Sequence, residues 1–409
     1  MNNKNSQIDK KKQWTKFRHR VVTGAVRLVL SPYTKIKYGI KVDKFRDQEK
    51  RPYLILMNHQ TAFDQFFVGM AFRGPVYYLA SEDIFSMGWV SSLIRYLVAP
   101  IPIKKQTTDV RAILNCIKVA KEGGTIAIAP EGNRTYSGRT EYMSPSIAPL
   151  AKKLGVPIVL FRIEGGYGVH PRWSDVVRKG KMHAYVSQVI YPEEYAALSD
   201  GELFEIIEKG LYVDEACVDG EYRHKSCAEY LERAMYVCHD CGFSTFESRG
   251  DVISCTKCEK QIRYKSTKEL EGIGFEFPFR FVADWYDYQS NFMNSFNPLD
   301  YDSAPLYEEA VLVSEVIPCE KKNALYANAK ISLYGTRIVI ASGEERLCFE
   351  FGETSAVTVL GKNKLNIYHD GKIYQIKGSE RFNALKYVHM YNRHKNVVKG
   401  EENAKFLGL

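Results

Sequence analysis

Asn58-His59-Gln60-Thr61-Ala62-Phe63-Asp64 places an imidazole five residues before a carboxylate, between a strand-like apolar run and a helical pattern. On one continuous helix, residues five apart sit about 140° around the axis and do not meet. They meet if His59 lies in the loop and the helix starts near Thr61, with Thr61 and Asp64 in capping-box spacing. Asp64 then takes a hydrogen bond from one ring nitrogen and leaves the other as an acceptor, the orienting half of a triad without its serine. Such a pair suits deprotonation of a substrate hydroxyl; the plainer alternative is a capping Asp beside an unrelated loop His. A second group, Ala129-Pro130-Glu131-Gly132-Asn133-Arg134, directly follows the apolar strand 125–129. Gly132 permits close backbone approach, and Arg134 offers a planar fork suited to phosphate. Glu131 could pair with a base or bind a substrate hydroxyl. Taken alone, these residues are a strand-ending turn and a surface charge.

Cys238-x2-Cys241-x13-Cys255-x2-Cys258 supplies two thiolate pairs, and Gly242 relieves the tight turn after the second Cys. Four sulfurs at this spacing fit a closed, tetrahedral structural Zn2+ in a zinc ribbon. His239 reads as a knuckle residue, not a ligand. The other five of the nine cysteines, Cys116, Cys217, Cys227, Cys319 and Cys348, have no paired spacing and read as ordinary packing. Cysteine usage of this kind points to metal in a reducing cytoplasm, not to disulfides.

The elements that must position these residues follow from periodicity. Apolar strand-like runs at 53–57, 76–79, 126–129, 157–163 and 182–190 alternate with helical patterns at 66–72, 89–97, 109–121 and 146–154, which predicts an α/β domain with a largely buried sheet. Residues 193–235 hold twelve Asp/Glu against four Lys/Arg and read as helices with a polar face. The aromatic stretch 275–296 reads as neither strand nor helix. From about 306 to 377 short β-branched runs recur, with Asp370-Gly371 as a hairpin turn, and a helix over 379–395 follows. That pattern predicts a small β-barrel or sandwich with a terminal helix.

The first two motifs together resemble those of the glycerolipid acyltransferase family typified by 1-acylglycerol-3-phosphate acyltransferase. Asn58 to Asp64 matches its Asn-His-Gln-x-x-x-Asp motif and Pro130 to Arg134 its Pro-Glu-Gly-x-Arg motif. Pro102-Ile103-Lys104-Lys105 looks like the middle motif, with Lys where Arg is usual, and Val156-Pro157-Ile158-Val159 like the fourth. Ala129 and Asn133 depart from the usual Phe and Thr. The resemblance covers about residues 36–191. It implies that His59, oriented by Asp64, deprotonates an acceptor hydroxyl that attacks the thioester of an acyl-CoA or acyl carrier protein. Arg134 and Lys104 or Lys105 would hold the phosphate of a lysophospholipid acceptor, Glu131 and Gly132 would shape its pocket, and backbone N–H groups near Thr61 would face the oxyanion. The C-terminal region resembles a pleckstrin-homology-like module in pattern alone, with Lys362, Lys364 and Lys372 either binding lipid headgroups or solubilising strand edges.

The expected organisation is therefore multidomain: a basic amphipathic segment (1–35), an acyltransferase domain (36–212), an acidic helical linker (213–235), a zinc ribbon (236–265), an aromatic-rich connector (266–305) and a pleckstrin-homology-like β domain (306–398). The net charge of +9 is localised, since residues 1–51 carry 15 Lys/Arg against 4 Asp/Glu and the rest of the chain is slightly acidic. Residues 14–30 read as a basic amphipathic helix that either lies in a bilayer interface or packs on its own domain. No apolar run approaches 18 residues, and no secretory signal pattern is visible. These features predict a cytoplasmic enzyme attached peripherally to the inner face of an anionic membrane. The ribbon or the C-terminal domain would offer a surface for a protein partner. The competing class is a non-catalytic membrane or protein-binding scaffold. Nucleic acid is not an expected partner, because the basic cluster is far from the ribbon in sequence.

Overall fold

In the computed structural model, residues 13–81, 85, 89–103, 109–317 and 322–401 are described. The first part runs α1 (Phe17–Tyr38), β1 (Ile40–Val42), β2 (Leu54–Met57), α2 (Asp64–Ala71), β3 (Val76–Ser81), α3 (Trp89–Val98), β4 (Ile101–Ile103), α4 (Val110–Lys121), β5 (Thr125–Ile128), α5 (Ile147–Leu154), β6 (Ile158–Glu164), α6 (Gly166–Val169), β7 (Met182–Ile190), α7 (Pro192–Tyr195) and α8 (Asp200–Leu211). Its seven strands form one sheet in the order β1-β7-β6-β2-β5-β3-β4. All pairs are parallel except β6 with β7. The central strands are apolar on both faces because helices cover both. Leu54 and Leu56 point into one core with Cys116, Ala148 and Ile207, while Ile55 and Met57 point into the other with Phe67 and Tyr38. Strand alternation divides a single apolar run between two layers.

Helix α1 is longer than the predicted 14–30 and crosses the expected boundary at residue 35. Trp14 precedes it, with its indole Nε1 donating to the Ala99 carbonyl at 3.0 Å. The expected helical linker over 213–235 is not helical. Helix α8 ends at Leu211, and only a 3-10 turn, Leu231–Arg233, follows before residue 236. The acidic residues there make individual long-range bonds instead of lining a helix: Asp214 accepts from Arg139 at 2.9 Å, and Glu232 pairs with Arg381.

The cysteine region forms β8 (Val237–Cys238), β9 (Gly242–Phe243), β10 (Phe246–Arg249), β11 (Val252–Cys255), β12 (Gln261–Tyr264) and β13 (Leu270–Gly272), so its sheet extends past the expected limit of 265. The aromatic connector contains α9 (Val282–Ser295), whose Trp285 packs on Phe246 with ring centroids 5.3 Å apart. Then come β14 (Tyr307–Glu315), β15 (Asn323–Leu333), β16 (Arg337–Ser342), β17 (Glu345–Glu350), β18 (Ala356–Leu360), β19 (Lys364–His369), β20 (Lys372–Lys377) and α10 (Leu385–Val398). The strands make one continuous antiparallel sheet in the order β17-β16-β15-β14-β20-β19-β18, with β17 and β18 as its edges, so it is an open sheet and not a closed barrel.

The regions separated in the sequence share one core. Tyr136, Tyr167 and Trp173 of the first part pack in the same apolar cluster as Cys238, Cys255, Trp285, Ile331 and Leu365. The cysteine region is therefore a structural keystone, packed into the core that the flanking parts share. Arg139 ties the first part to α9, bonding Asp284 at 3.0 Å and Asp287 as well as Asp214. Lys362, in the β18–β19 turn, donates to the Ser174 carbonyl at 2.7 Å and to Asp175 at 2.6 Å. It is thus committed within the chain, not free for a lipid headgroup.

Glu215 holds the start of α6, accepting from the Gly165 N–H at 2.8 Å. Burial pushes its carboxyl up to about 7 against the opposing charge of Lys268. A raised acid is protonated in the folded chain while the unfolded chain has already released its proton, so stability falls as pH rises from about 4.5 to about 7. The window is worth roughly 3 kcal/mol. Glu215→Gln is expected to remove that loss. Its urea midpoint relative to wild type should climb between pH 5 and pH 8, and parallel midpoints across this range would contradict the assignment.

Candidate active site

Parallel pairing of β2 with β5 sets Leu56 beside Ile128, so the loops leaving both carboxyl ends emerge side by side. This is where open α/β sheets place ligands. It brings His59 next to the turn containing Glu131 and Arg134 across 72 residues of sequence.

His59 Nδ1 lies 2.8 Å from Asp64 Oδ2. The His59 side chain is partly exposed at 22% and that of Asp64 fully buried. Helix α2 begins at Asp64 itself, three residues later than the expected start near Thr61. Residues 61–63 form a turn that folds back on the carboxylate, which accepts from the Gln60 N–H at 2.7 Å, the Thr61 N–H at 3.0 Å and the Thr61 hydroxyl at 2.6 Å. With these bonds at a helix N-terminus, the Asp64 side chain is held in one orientation toward the ring. The bond assigns Nδ1 as the donor and leaves Nε2 as the acceptor. The same network uses up the Thr61 and Gln60 N–H groups, so the donors expected to face an oxyanion at Thr61 are already engaged.

Glu131 is buried, and both oxygens are taken by backbone: Oε1 accepts from the His59 N–H at 2.7 Å and Oε2 from the Glu141 N–H at 2.8 Å. The carboxylate thus braces the histidine loop and does not point at a substrate, contrary to the expected substrate contact. Burial raises it well above the ordinary carboxylate range. The His59 carbonyl accepts from the Thr135 N–H at 3.2 Å, a second tie between the two loops. Asn58 completes the frame, exchanging two 2.8 Å bonds between its amide and the backbone of Ile163 on β6. Gly132 has φ +70°, and a Cβ there would meet nothing within 4 Å. The turn's left-handed backbone, not crowding, requires glycine.

Arg134 is partly buried, and its buried Nη1 has no hydrogen-bond partner among the described residues. Burial, then the nearby Arg172, depresses its guanidinium to about 10. Arg172 donates to the Arg134 carbonyl at 2.9 Å and to the Gly361 carbonyl at 3.0 Å, so the C-terminal sheet helps hold this loop. Lys104 and Lys105 lie outside the described residues; Pro102 and Ile103 of the same motif sit on β4. Sequence spacing carried no signal for Arg172, which lies 38 residues from the motif it supports.

A family model described as Acyltransferase matches residues 39–164, the stretch that contains both motifs. The chain carries an acyltransferase domain. That domain is similar to the 1-acyl-sn-glycerol-3-phosphate acyltransferase of Bacillus subtilis, 23% identical over 190 residues, covering 45% of this chain and 88% of the relative. A chloroplastic enzyme of the same name from Brassica napus is 24% identical over 156 residues, 36% of this chain, and the chain spans only 44% of its length. The solved 1-acyl-sn-glycerophosphate acyltransferase of Thermotoga maritima aligns at 22% identity and TM-score 0.41, covering 47% of this chain and 78% of its own. The family match ends at residue 164, before the cysteine cluster begins.

The Sγ atoms of Cys238, Cys241, Cys255 and Cys258 all lie within 4.8 Å of one another. Tetrahedral zinc with Zn–S bonds of about 2.3 Å sets its sulfurs about 3.8 Å apart, and the Cys238 and Cys258 sulfurs are 3.8 Å apart. The donor set and its size fit that ion. Gly242 has φ +66°, as the first knuckle turn requires, and His239 stands exposed outside the cluster, beside Phe279 and Tyr288.

Proposed function

We propose that the chain transfers a fatty acyl group from an acyl thioester, acyl-CoA or acyl carrier protein, to a hydroxyl of a lysophospholipid such as 1-acylglycerol 3-phosphate. The observation that carries this reading is the 2.8 Å bond from His59 Nδ1 to a fully buried, four-fold hydrogen-bonded Asp64, with a guanidinium nearby whose Nη1 is unpaired among the described residues. His59 Nε2 takes the acceptor's hydroxyl proton as its oxygen adds to the thioester carbonyl. The C–S bond then breaks, and the imidazolium returns the proton to the departing thiolate. No covalent enzyme intermediate is needed. Arg134 holds the acceptor's phosphate, Lys104 and Lys105 add charge to it, Gly132 leaves space for it, and Glu131 keeps the two loops in register.

The four cysteines hold a structural zinc ion, which supplies no step of the reaction and fixes the keystone on which the domain rests. Attachment to an anionic membrane surface is supported by α1 and α3. Phe17, Leu28, Ile36 and Trp89 are 79%, 82%, 86% and 77% exposed, with Arg20, Lys35 and Lys37 exposed among them. Arg18 stacks on Tyr96 at 3.9 Å and joins the two helices into one surface. No described helix is long and apolar enough to cross a membrane. The deciding experiment incubates the purified chain with acyl-CoA or acyl carrier protein and a panel of lysophospholipids, then identifies products by mass spectrometry. A diacyl product from a phosphate-bearing acceptor is expected; no product from any donor and acceptor pair would refute the reading.

A further inference from the structure

Several buried polar atoms near Arg134 have no hydrogen-bond partner among the described residues. His170 lacks one at both ring nitrogens, Tyr38 at its hydroxyl and Gln60 at both amide atoms, in addition to Arg134 Nη1. His170 is 7% exposed, Tyr38 1% and Gln60 0%. These side chains belong to one neighbourhood. The Tyr38 and His170 rings lie 6.0 Å apart. The His170 N–H bonds the Gly166 carbonyl at 2.8 Å, and Gly166 packs against Gln60 so closely that a Cβ on it would fall 2.6 Å from Gln60 Cβ. Arg134 is close enough for its charge to act on both Tyr38 and His170.

Unpaired polar groups are rare in folded proteins, and several gathered beside one guanidinium describe a lining and not scattered packing faults. The sign of the field is positive. Lys362, Arg134, Lys37 and Arg178 all bear on His170, while the neighbouring carboxylates of Asp64 and Glu131 are already saturated with N–H and O–H donors. A guanidinium, a phenol hydroxyl and an imidazole N–H are all hydrogen-bond donors, the set that a group with several acceptor oxygens satisfies.

We propose that Tyr38, at the end of α1, and His170, just after α6, complete an anion pocket with Arg134, and that its ligand is a phosphate monoester dianion. Lys362 adds charge from the turn of the C-terminal sheet without touching the ligand, because Ser174 and Asp175 already hold its ammonium. The pocket thus draws on three separate parts of the chain. The inference deepens the reading of Arg134 as the acceptor-phosphate residue and rests on it.

Calorimetric titration of the full chain with glycerol 3-phosphate and with inorganic phosphate tests the pocket without requiring turnover. Wild type is expected to bind both. Tyr38→Phe and His170→Phe should each weaken binding about tenfold or more, the loss of one hydrogen bond to a charged group, and His170→Gln, which keeps a donor, should recover part of it. If His170→Phe fails to fold by circular dichroism, Tyr38→Phe, which removes a single oxygen, decides alone. Unchanged affinity in the folded variants would overturn the proposal. So would full displacement of glycerol 3-phosphate by desulfo-CoA, because the pocket would then serve the donor's phosphates. Should no acyl transfer be found while the binding pattern holds, the proposed activity fails and the pocket stands.

Discussion

His59→Ala is expected to lower kcat/KM for acyl transfer by roughly 10²–10⁴, the usual contribution of a positioned general base, while leaving the far-ultraviolet circular dichroism and the urea midpoint close to wild type. Among the described residues the side chain bonds Asp64 alone, and it is partly exposed, so its loss removes chemistry and little packing. Asp64→Asn should cost both. An amide there can present a donor to the ring and misdirect its tautomer, and it weakens three further bonds at the turn and helix start. Breaking a buried charged network of this kind costs about 3–5 kcal/mol, so a lower melting temperature accompanies the lost activity. Undiminished transfer by folded His59→Ala protein would sink the base assignment, whatever Asp64→Asn does.

Removing the metal should have the largest effect on the fold. One zinc per chain is expected by elemental analysis, and Cys238→Ser or Cys255→Ser should abolish it. Structural zinc contributes about 10–16 kcal/mol in isolated finger peptides, comparable to the whole stability of a typical domain. Cys238 and Cys255 are buried in the same cluster as Tyr136 and Trp173, so the damage cannot stay within β8–β13. Tyr136 lies two residues from Arg134, and its hydroxyl donates to the Lys362 carbonyl at 3.0 Å. Chelation is therefore expected to lower the melting temperature of the entire chain and to inactivate it. A metal-free protein with an unshifted melting curve and full activity would exclude the structural role.

Much of this arrangement is legible in the sequence because it is local. Apolar runs of four to seven residues at β2, β5 and β6 are long enough for strands and too short for helices, and the sheet keeps all three. The spacing of Asn58 to Asp64 lets one loop and one helix start bring ring and carboxylate together, and paired Cys-x2-Cys turns hold their sulfurs within one residue cluster. Each of these depends on backbone geometry over a few residues, which residue type and spacing encode directly.

What lay beyond reach were partners distant in the chain. Composition made 213–235 look helical, yet its acids are used singly, by Arg139, Gly165 and Arg381, and no helical period survives that demand. Glu131 looked like a substrate contact until the β2–β5 pairing brought the His59 N–H to its carboxylate. Lys362 looked like a free headgroup ligand until the β18–β19 turn docked on Asp175. The sequence alone determined the acyltransferase motifs, the four-sulfur cluster and the alternation that builds the sheet. Only the tertiary structure decided which carboxylates are spent on backbone donors, that the modules share one core, and that the Tyr38 and His170 rings lie 6.0 Å apart, because strand order and packing are set by burial summed over the whole chain and not by any local spacing.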